Sequence, residues 1–228
     1  MTNRRSFLAS FSLTPFIGAA LSRIRLSCDV RDRGLGAPLL QGGLFDMSAW
    51  KRANQPLMKI GRDFPCLPLR CFIGLDVPLE AGSATVVAVF KGNASGVRIL
   101  TWSYASPMRP LTLDAISKDI GRLIRQHDVR GVIYDPQAIS PGIEWQSKAI
   151  EFPQTVGMMS PATKGLMESI RSGNVEHNGD PALTRALASV VGRWDANGNV
   201  YPVKLRKEDK IGPAVALIMA HSRAVVVA

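Results

Sequence analysis

Cys71-Phe72-Ile73-Gly74-Leu75-Asp76-Val77 is the stretch from which the fold is read. It is an apolar run of strand formers with one carboxylate near its end. A strand covered on both faces has no low-energy place for a charge. Asp76 therefore belongs at a strand end, paired, or holding a cation. Val129-Arg130-Gly131-Val132-Ile133-Tyr134-Asp135-Pro136 repeats the design: an apolar run, then Asp, then a break. Two such strands side by side bring two carboxylates together, and close carboxylates need a cation or a shared proton.

Working outward, Ser83 to Lys91 is rich in β-branched residues and reads as a second strand, joined to the first by a Gly-containing turn. Gly96 to Tyr104 reads as a third. Leu113, Ile116, Ile120, Leu123 and Ile124 recur at helical spacing behind Thr112, a candidate N-cap. The strand ending at Asp135 follows. Pro141 to Phe152 is expected to be helical and Thr155–Met159 a short strand. Ser160 is then expected to cap a helix with Pro161 in its first position and Gly173 after its end. Pro181 to Val191 reads as a helix, Asn197-Gly198 as a hairpin turn, and Pro213 to about Val225 as the last helix. Three meandering strands, a helix, then strands alternating with helices predict an α/β fold, a mixed sheet flanked by helices. The ribonuclease H-like fold has that order, with acids on its first and fourth strands and final helix. This domain is expected over residues 66–228. Residues 1–65 lack sustained periodicity and read as an irregular, poorly ordered N-terminal arm or linker, or the remnant of a larger neighbour, with a short helix within Phe45 to Lys59 that turns Trp50 and Leu57 to its apolar side.

Lys plus Arg number 28 against 18 Asp plus Glu, a formal net charge of +10. That favours an anionic partner, nucleic acid ahead of an anionic membrane surface. Cys28, Cys66 and Cys71 show no CxxC spacing, and His127, His177 and His221 are scattered. Neither a zinc site nor a disulfide framework is supported, and a reducing, cytoplasmic location is expected. No run of 18 apolar residues is present, so no membrane-spanning helix and no stable membrane association are expected. Asn3-Arg4-Arg5-Ser6-Phe7-Leu8 is close to a twin-arginine export signal, with an apolar stretch to Leu21 and small residues at Ala19-Ala20. Arg23 and Arg25, directly after it, argue against export.

Six segments in order carry a resemblance. They are Phe72-Ile73-Gly74-Leu75-Asp76; Tyr134-Asp135-Pro136; Met158-Met159-Ser160-Pro161; Gly173-Asn174-Val175-Glu176-His177-Asn178-Gly179-Asp180-Pro181; Asp195-Ala196-Asn197-Gly198-Asn199; and Lys210-Ile211-Gly212-Pro213-Ala214-Val215-Ala216-Leu217-Ile218-Met219-Ala220. Over roughly residues 66–228 the set resembles the C-terminal nuclease domain of tailed-phage large terminase subunits, in the form of a prophage-type copy. The resemblance implies a ribonuclease H-like fold and divalent-metal cleavage of concatemeric double-stranded DNA during packaging. It also implies a small terminase subunit and a portal as further partners. No G-x-x-x-x-G-K-[ST] phosphate loop occurs in the sequence, so the ATPase motor of full-length members is not expected here.

By the same resemblance, Asp76 would bridge two Mg²⁺ or Mn²⁺ ions and Asp135 would hold one, activating a water and stabilising the leaving oxygen. The family's third acid, just before the last helix, falls on Gly212 here, followed by Pro213. Gly212 would still serve as an N-cap. Asp209, with Glu208 beside it, is the candidate substitute ligand. A second family acid falls on Gly82, near Glu80. With a ligand missing, impaired catalysis is expected. Lys204, Arg206, Lys207 and Lys210, joined by Lys164 and Arg171, are candidate phosphate contacts. His177 lies beside Asn178-Gly179-Asp180 in one of the matching segments, though a surface turn explains it as well; Trp50, Trp102, Trp145 and Trp194 read as packing residues. The alternatives are a non-catalytic DNA-binding prophage remnant and a twin-arginine-exported protein.

Overall fold

The computed structural model describes residues 43–55, 70–77, 83–91, 96–105 and 112–226, with the backbone alone for 83, 91 and 100–105. The twin-arginine motif, Cys28, Leu57, Cys66, Glu80 and Gly82 lie outside the described residues. At the centre runs β1, Arg70–Asp76, whose residues Cys71 to Leu75 are all buried. It pairs antiparallel with β2, Ser83–Lys91, which pairs antiparallel with β3, Val97–Ala105. On its other side β1 pairs parallel with β4, Asp128–Tyr134. The first and fourth strands are thus neighbours, as expected. Between them α2, Leu113–Gln126, covers one face, capped by Thr112, whose hydroxyl accepts from Ala115 N at 3.2 Å.

The six-stranded sheet is completed at its two edges by β5, Ala149–Glu151, parallel to β4, and β6, Val175–His177, parallel to β3. Where a helix was expected over Pro141 to Phe152, the chain makes turns, a single 3₁₀ turn at Gln146–Lys148, and then β5. The exposed edge of β4 explains this. Its unpaired backbone groups are satisfied by a short parallel strand, while Trp145 packs edge-on against Tyr134 with ring centroids 5.4 Å apart.

α3, Val156–Arg171, replaces the expected Thr155–Met159 strand. Thr155 stands at the N-cap position, and Pro161 lies inside the helix. The buried positions Met159, Ala162, Leu166 and Ile170 form one helical stripe that already begins before the proline. Pro161 removes only the N–H that would reach the carbonyl of Gly157, an exposed residue. Packing of the stripe outweighs one lost hydrogen bond.

α4, Pro181–Ala188, starts on an Asp180 carboxylate that accepts from Leu183 N at 2.7 Å. It ends earlier than expected because Val190 opens β7, Val190–Trp194, which pairs antiparallel with β8, Val200–Lys204. The turn between them is the one expected at Asn197-Gly198, with Gly198 at φ 74° and the Asp195 carboxylate accepting from Asn197 N and Asn199 N. α5, Gly212–Ala224, is buried from Pro213 to His221. Ile211 is its cap, and Gly212 its first residue rather than its N-cap.

Two apolar clusters sandwich the sheet. The smaller joins Cys71, Ile73 and Leu75 to Ile116, Ile120 and Leu123 of α2. The larger joins Phe72, Val87 and Ile133 to α3, α4 and α5. A helix can lie this close to β1 because Gly74 has no side chain, since a β-carbon there would run into the carbonyl of Ala216. Part of the expected arm also belongs to this core. α1, Met47–Arg52, is capped by Asp46 and buries Ala49 and Trp50. Leu44 N donates to Val190 O, and Gln55 N to His177 O, both at 2.9 Å. His177 is therefore no surface turn: it is 2% exposed and lies flat on Trp50, ring centroids 3.7 Å apart.

Candidate metal centre

Asp76 and Asp135 each follow the last residue of a registered pair, Leu75 opposite Tyr134. The two carboxylates therefore leave the parallel β1–β4 pair at the same level. Strand alternation sets their face. Phe72 and Ile133 belong to the larger cluster, while Leu75 and Tyr134 belong to the smaller. Carried on to positions 76 and 135, the alternation turns both acids toward α5. Gly212 agrees, since a β-carbon on it would stand 2.5 Å from Asp76 Oδ2. The position where the resemblance places a third acid thus abuts Asp76 directly.

Asp76 Oδ1 accepts from Gln154 Nε2 at 3.3 Å. Burial pushes the Asp76 carboxyl up to about 6; the Gln154 hydrogen bond and Lys204 act against this, and the Asp135 charge adds to it. Tyr201 feels both acids too. Burial raises its phenol, Arg193 opposes, and the Asp135 and Asp76 charges raise it further. Asp135 also closes a local turn, Oδ1 accepting from Gln137 N at 3.0 Å. The turn role and a ligand role are compatible, because the turn uses one oxygen.

Beside Asp76 lies a cavity of about 800 Å³. Its floor is apolar, with Met159, Ile211 and Val215, and Arg185, Lys204 and Lys210 supply positive charge. Lys204 and Lys210 were expected near phosphate; Arg206 and Lys207 sit in the exposed turn after β8. Lys164 lies 5.9 Å over the Trp194 ring. Among the described residues none of these six enters an ion pair, whereas Arg171 pairs with Glu168 at 2.5 Å.

Asp209 and Glu208 line the same cavity. Asp209 Oδ2, however, accepts from Arg206 N at 2.9 Å and closes the turn between β8 and α5. Among the described residues no three or more His, Cys, Asp or Glu form a group able to hold a metal ion. Asp209 is thus not brought into a three-acid cluster with Asp76 and Asp135; one of its oxygens closes its own turn. What the two remaining acids offer is two hard-oxygen donors, one of them half-buried and raised in proton affinity. A divalent cation relieves both conditions, so the donor set fits a hard divalent cation completed by water.

Residues 111–227, just over half of the chain, match the family described as terminase large subunit, endonuclease domain. This chain belongs to that family. The match takes in Asp135, Asp209 and Gly212 but starts after Asp76, whose place rests on the fold. The large terminase of bacteriophage HK97 is similar in structure, with a TM-score of 0.65 and 18% identity over 80% of this chain and 44% of that one. The large terminase nuclease of thermophilic phage G20c, solved with bound magnesium, gives a TM-score of 0.56 and 12% identity over 80% of this chain and 98% of that one. At such identities the likeness establishes the ribonuclease H-like fold. Protein YmfN of Escherichia coli (strain K12) is 44% identical over 68 residues, 29% of this chain. The chain spans 15% of the length of that relative and 44% of the HK97 protein.

In this terminase nuclease domain, four cavity residues went unread in the sequence. Thr85 faces Asp76 across the β1–β2 register and is 7% exposed. Its signal is a polar residue inside a buried strand. Tyr201, half-buried on β8, had no such signal. Gln154 was hidden by the misplaced helix before it, and Arg185 had no signal beyond its place on α4.

Proposed function

We propose that this terminase nuclease domain cleaves double-stranded DNA with a divalent metal, Mg²⁺ or Mn²⁺, held by Asp76 and Asp135. The single observation that carries the reading is the convergence of these two acids at the ends of adjacent parallel strands, on the face where α5 begins. When bound, the ion supplies Lewis-acid chemistry and lowers the pKa of a coordinated water. The chain's own residues do the rest. Lys204, Lys210 and Arg185 hold phosphates beside the acids, and Lys164, Arg206 and Lys207 extend that grip outward. Binding should therefore weaken with salt. The small terminase subunit and portal are the partners expected of this role, and the host cytoplasm the location; fractionation that finds the chain outside the cytoplasm would contradict the latter. The test is nicking of supercoiled plasmid by the full chain with Mn²⁺. Nicking that disappears with chelator and in Asp135→Asn supports the reading, and undiminished nicking in that variant refutes it.

Gly212 favours a second reading, a domain that binds DNA and metal but does not turn over. Two carboxylates support one ion better than two, and the second ion of the family's site lacks its acid here. Gly212→Asp separates the two readings. The new side chain requires the Asp76 carboxylate to turn, since Oδ2 occupies the space its β-carbon needs. Nicking gained only in Gly212→Asp marks a preserved but inactive site; nicking by the unaltered chain removes the second reading.

A further inference from the structure

Asp76 is held by one side chain, Gln154, and Gln154 is held in turn from both sides. Two residues before it, Phe152 is buried, and its N–H donates to Tyr134 O at 2.8 Å, the carbonyl just before Asp135. One residue after it, Thr155 stands at the N-cap position of α3, its carbonyl accepting from Met159 N at 2.8 Å. The carbonyl of Gln154 itself accepts from the Tyr201 hydroxyl at 3.1 Å, and the Tyr201 ring lies under Arg193 at 5.5 Å. The segment is thereby tied to the end of β4, to α3 and to β8 at once. The amide has one orientation that suits an ionised neighbour: Nε2 toward Asp76 Oδ1, because the amide oxygen would face a carboxylate.

We propose that Gln154 is a positioning residue of the metal centre. It holds Oδ1 of Asp76, so that Oδ2, on the Gly212 side, is the oxygen offered to the cation, and Tyr201 fixes Gln154 through its backbone. The inference rests on the reading that Asp76 is a metal ligand. Outer partners of metal-binding carboxylates set their orientation, and losing one typically costs ~10–100-fold in metal affinity. A glutamine that merely satisfies a half-buried carboxylate would instead affect stability alone.

The experiment is calorimetric titration of Mn²⁺ into the metal-free full chain, its Gln154→Leu variant and its Tyr201→Phe variant, alongside their metal-free melting temperatures. Gln154→Leu keeps the bulk and removes the donor. Its Mn²⁺ affinity should fall about tenfold or more, with the melting temperature nearly unchanged. Tyr201→Phe leaves the amide in place and should cost a smaller factor in the same direction. Unchanged affinity in Gln154→Leu, or a lowered melting temperature with unchanged affinity, overturns the positioning role while leaving the metal reading intact. Should Gln154→Leu not fold, unchanged affinity in Tyr201→Phe overturns it. No Mn²⁺ binding by the unaltered chain overturns both.

Discussion

Asp76 and His177 are both titratable side chains at the C-terminal ends of strands in one sheet, and their surroundings differ completely. His177 is satisfied. Its Nε2 meets Trp50 O at 2.7 Å, its Nδ1 accepts from Gly179 N at 3.1 Å, and its ring lies flat on Trp50. Burial holds its pKa below the usual histidine value. Asp76 has one long hydrogen bond, a second carboxylate nearby, and an adjoining cavity with cations on its wall. A buried polar group whose partners are all in place is accounted for by the fold. One left short of partners beside a cavity points to something the fold does not supply. The comparison gives His177 a stabilising role, as the clasp that fastens α1, and supports the metal-binding role proposed for Asp76.

The largest effect that could break this contrast is on cleavage. Asp76→Ala should reduce Mn²⁺-dependent plasmid nicking by more than the ~100-fold that loss of an outer partner costs, with little loss of stability. His177→Ala should do the reverse, lowering unfolding free energy by ~2–4 kcal/mol in denaturant titrations while leaving nicking intact below its melting temperature. If both variants lose nicking equally at a temperature where both are folded, the division fails.

The dependence of stability on pH sharpens the same contrast. Folded Asp76 titrates near 6, above its ordinary 3.8, so between those values the folded metal-free chain binds more protons than the unfolded one. Its contribution to stability is therefore lost as pH rises from about 4 to about 6, on the order of 2–3 kcal/mol. His177 works in the opposite sense. Its folded pKa lies below the ordinary 6.5, so stability is lost as pH falls below that value. Denaturation profiles of Asp76→Asn and His177→Gln, each subtracted from the parent, should slope in opposite directions. Added Mn²⁺ should erase the Asp76 slope alone.

The smallest effect concerns the cavity wall. Lys204→Ala should reduce the slope of log DNA affinity against log salt by about 1 without changing which sequences bind. The same substitution at Lys118, ion-paired to Asp114 at 2.7 Å on α2, should leave the slope unaltered.

Much of this was legible in the sequence where local pattern and tertiary demand agree. β1 and β4 announced themselves by apolar runs ending in Asp. Thr112 capped its helix as read, and Asn197-Gly198 made its hairpin. The misreadings fall where tertiary packing decides. Pro161 looked like a helix start, but the stripe through Met159 and Ile170 needed the earlier turn. The 141–152 stretch was drawn into a sheet edge that no local signal reveals. His177 beside Asn178-Gly179 looked like a turn, because its partner Trp50 lies 127 residues away in the chain. Of the site, Asp76 and Asp135 were readable as strand-ending acids, and the importance of position 212 through resemblance. Gln154 and Tyr201 were not readable, since each acts through a contact that forms only when β8 and the start of α3 meet.

The central claim is that Asp76 and Asp135 together hold one divalent cation. The most direct measurement is calorimetric Mn²⁺ binding to the metal-free chain and to Asp76→Asn and Asp135→Asn separately. The account predicts one binding site in the parent that is lost in either single variant. A site that survives in Asp135→Asn with its affinity unaltered would contradict it.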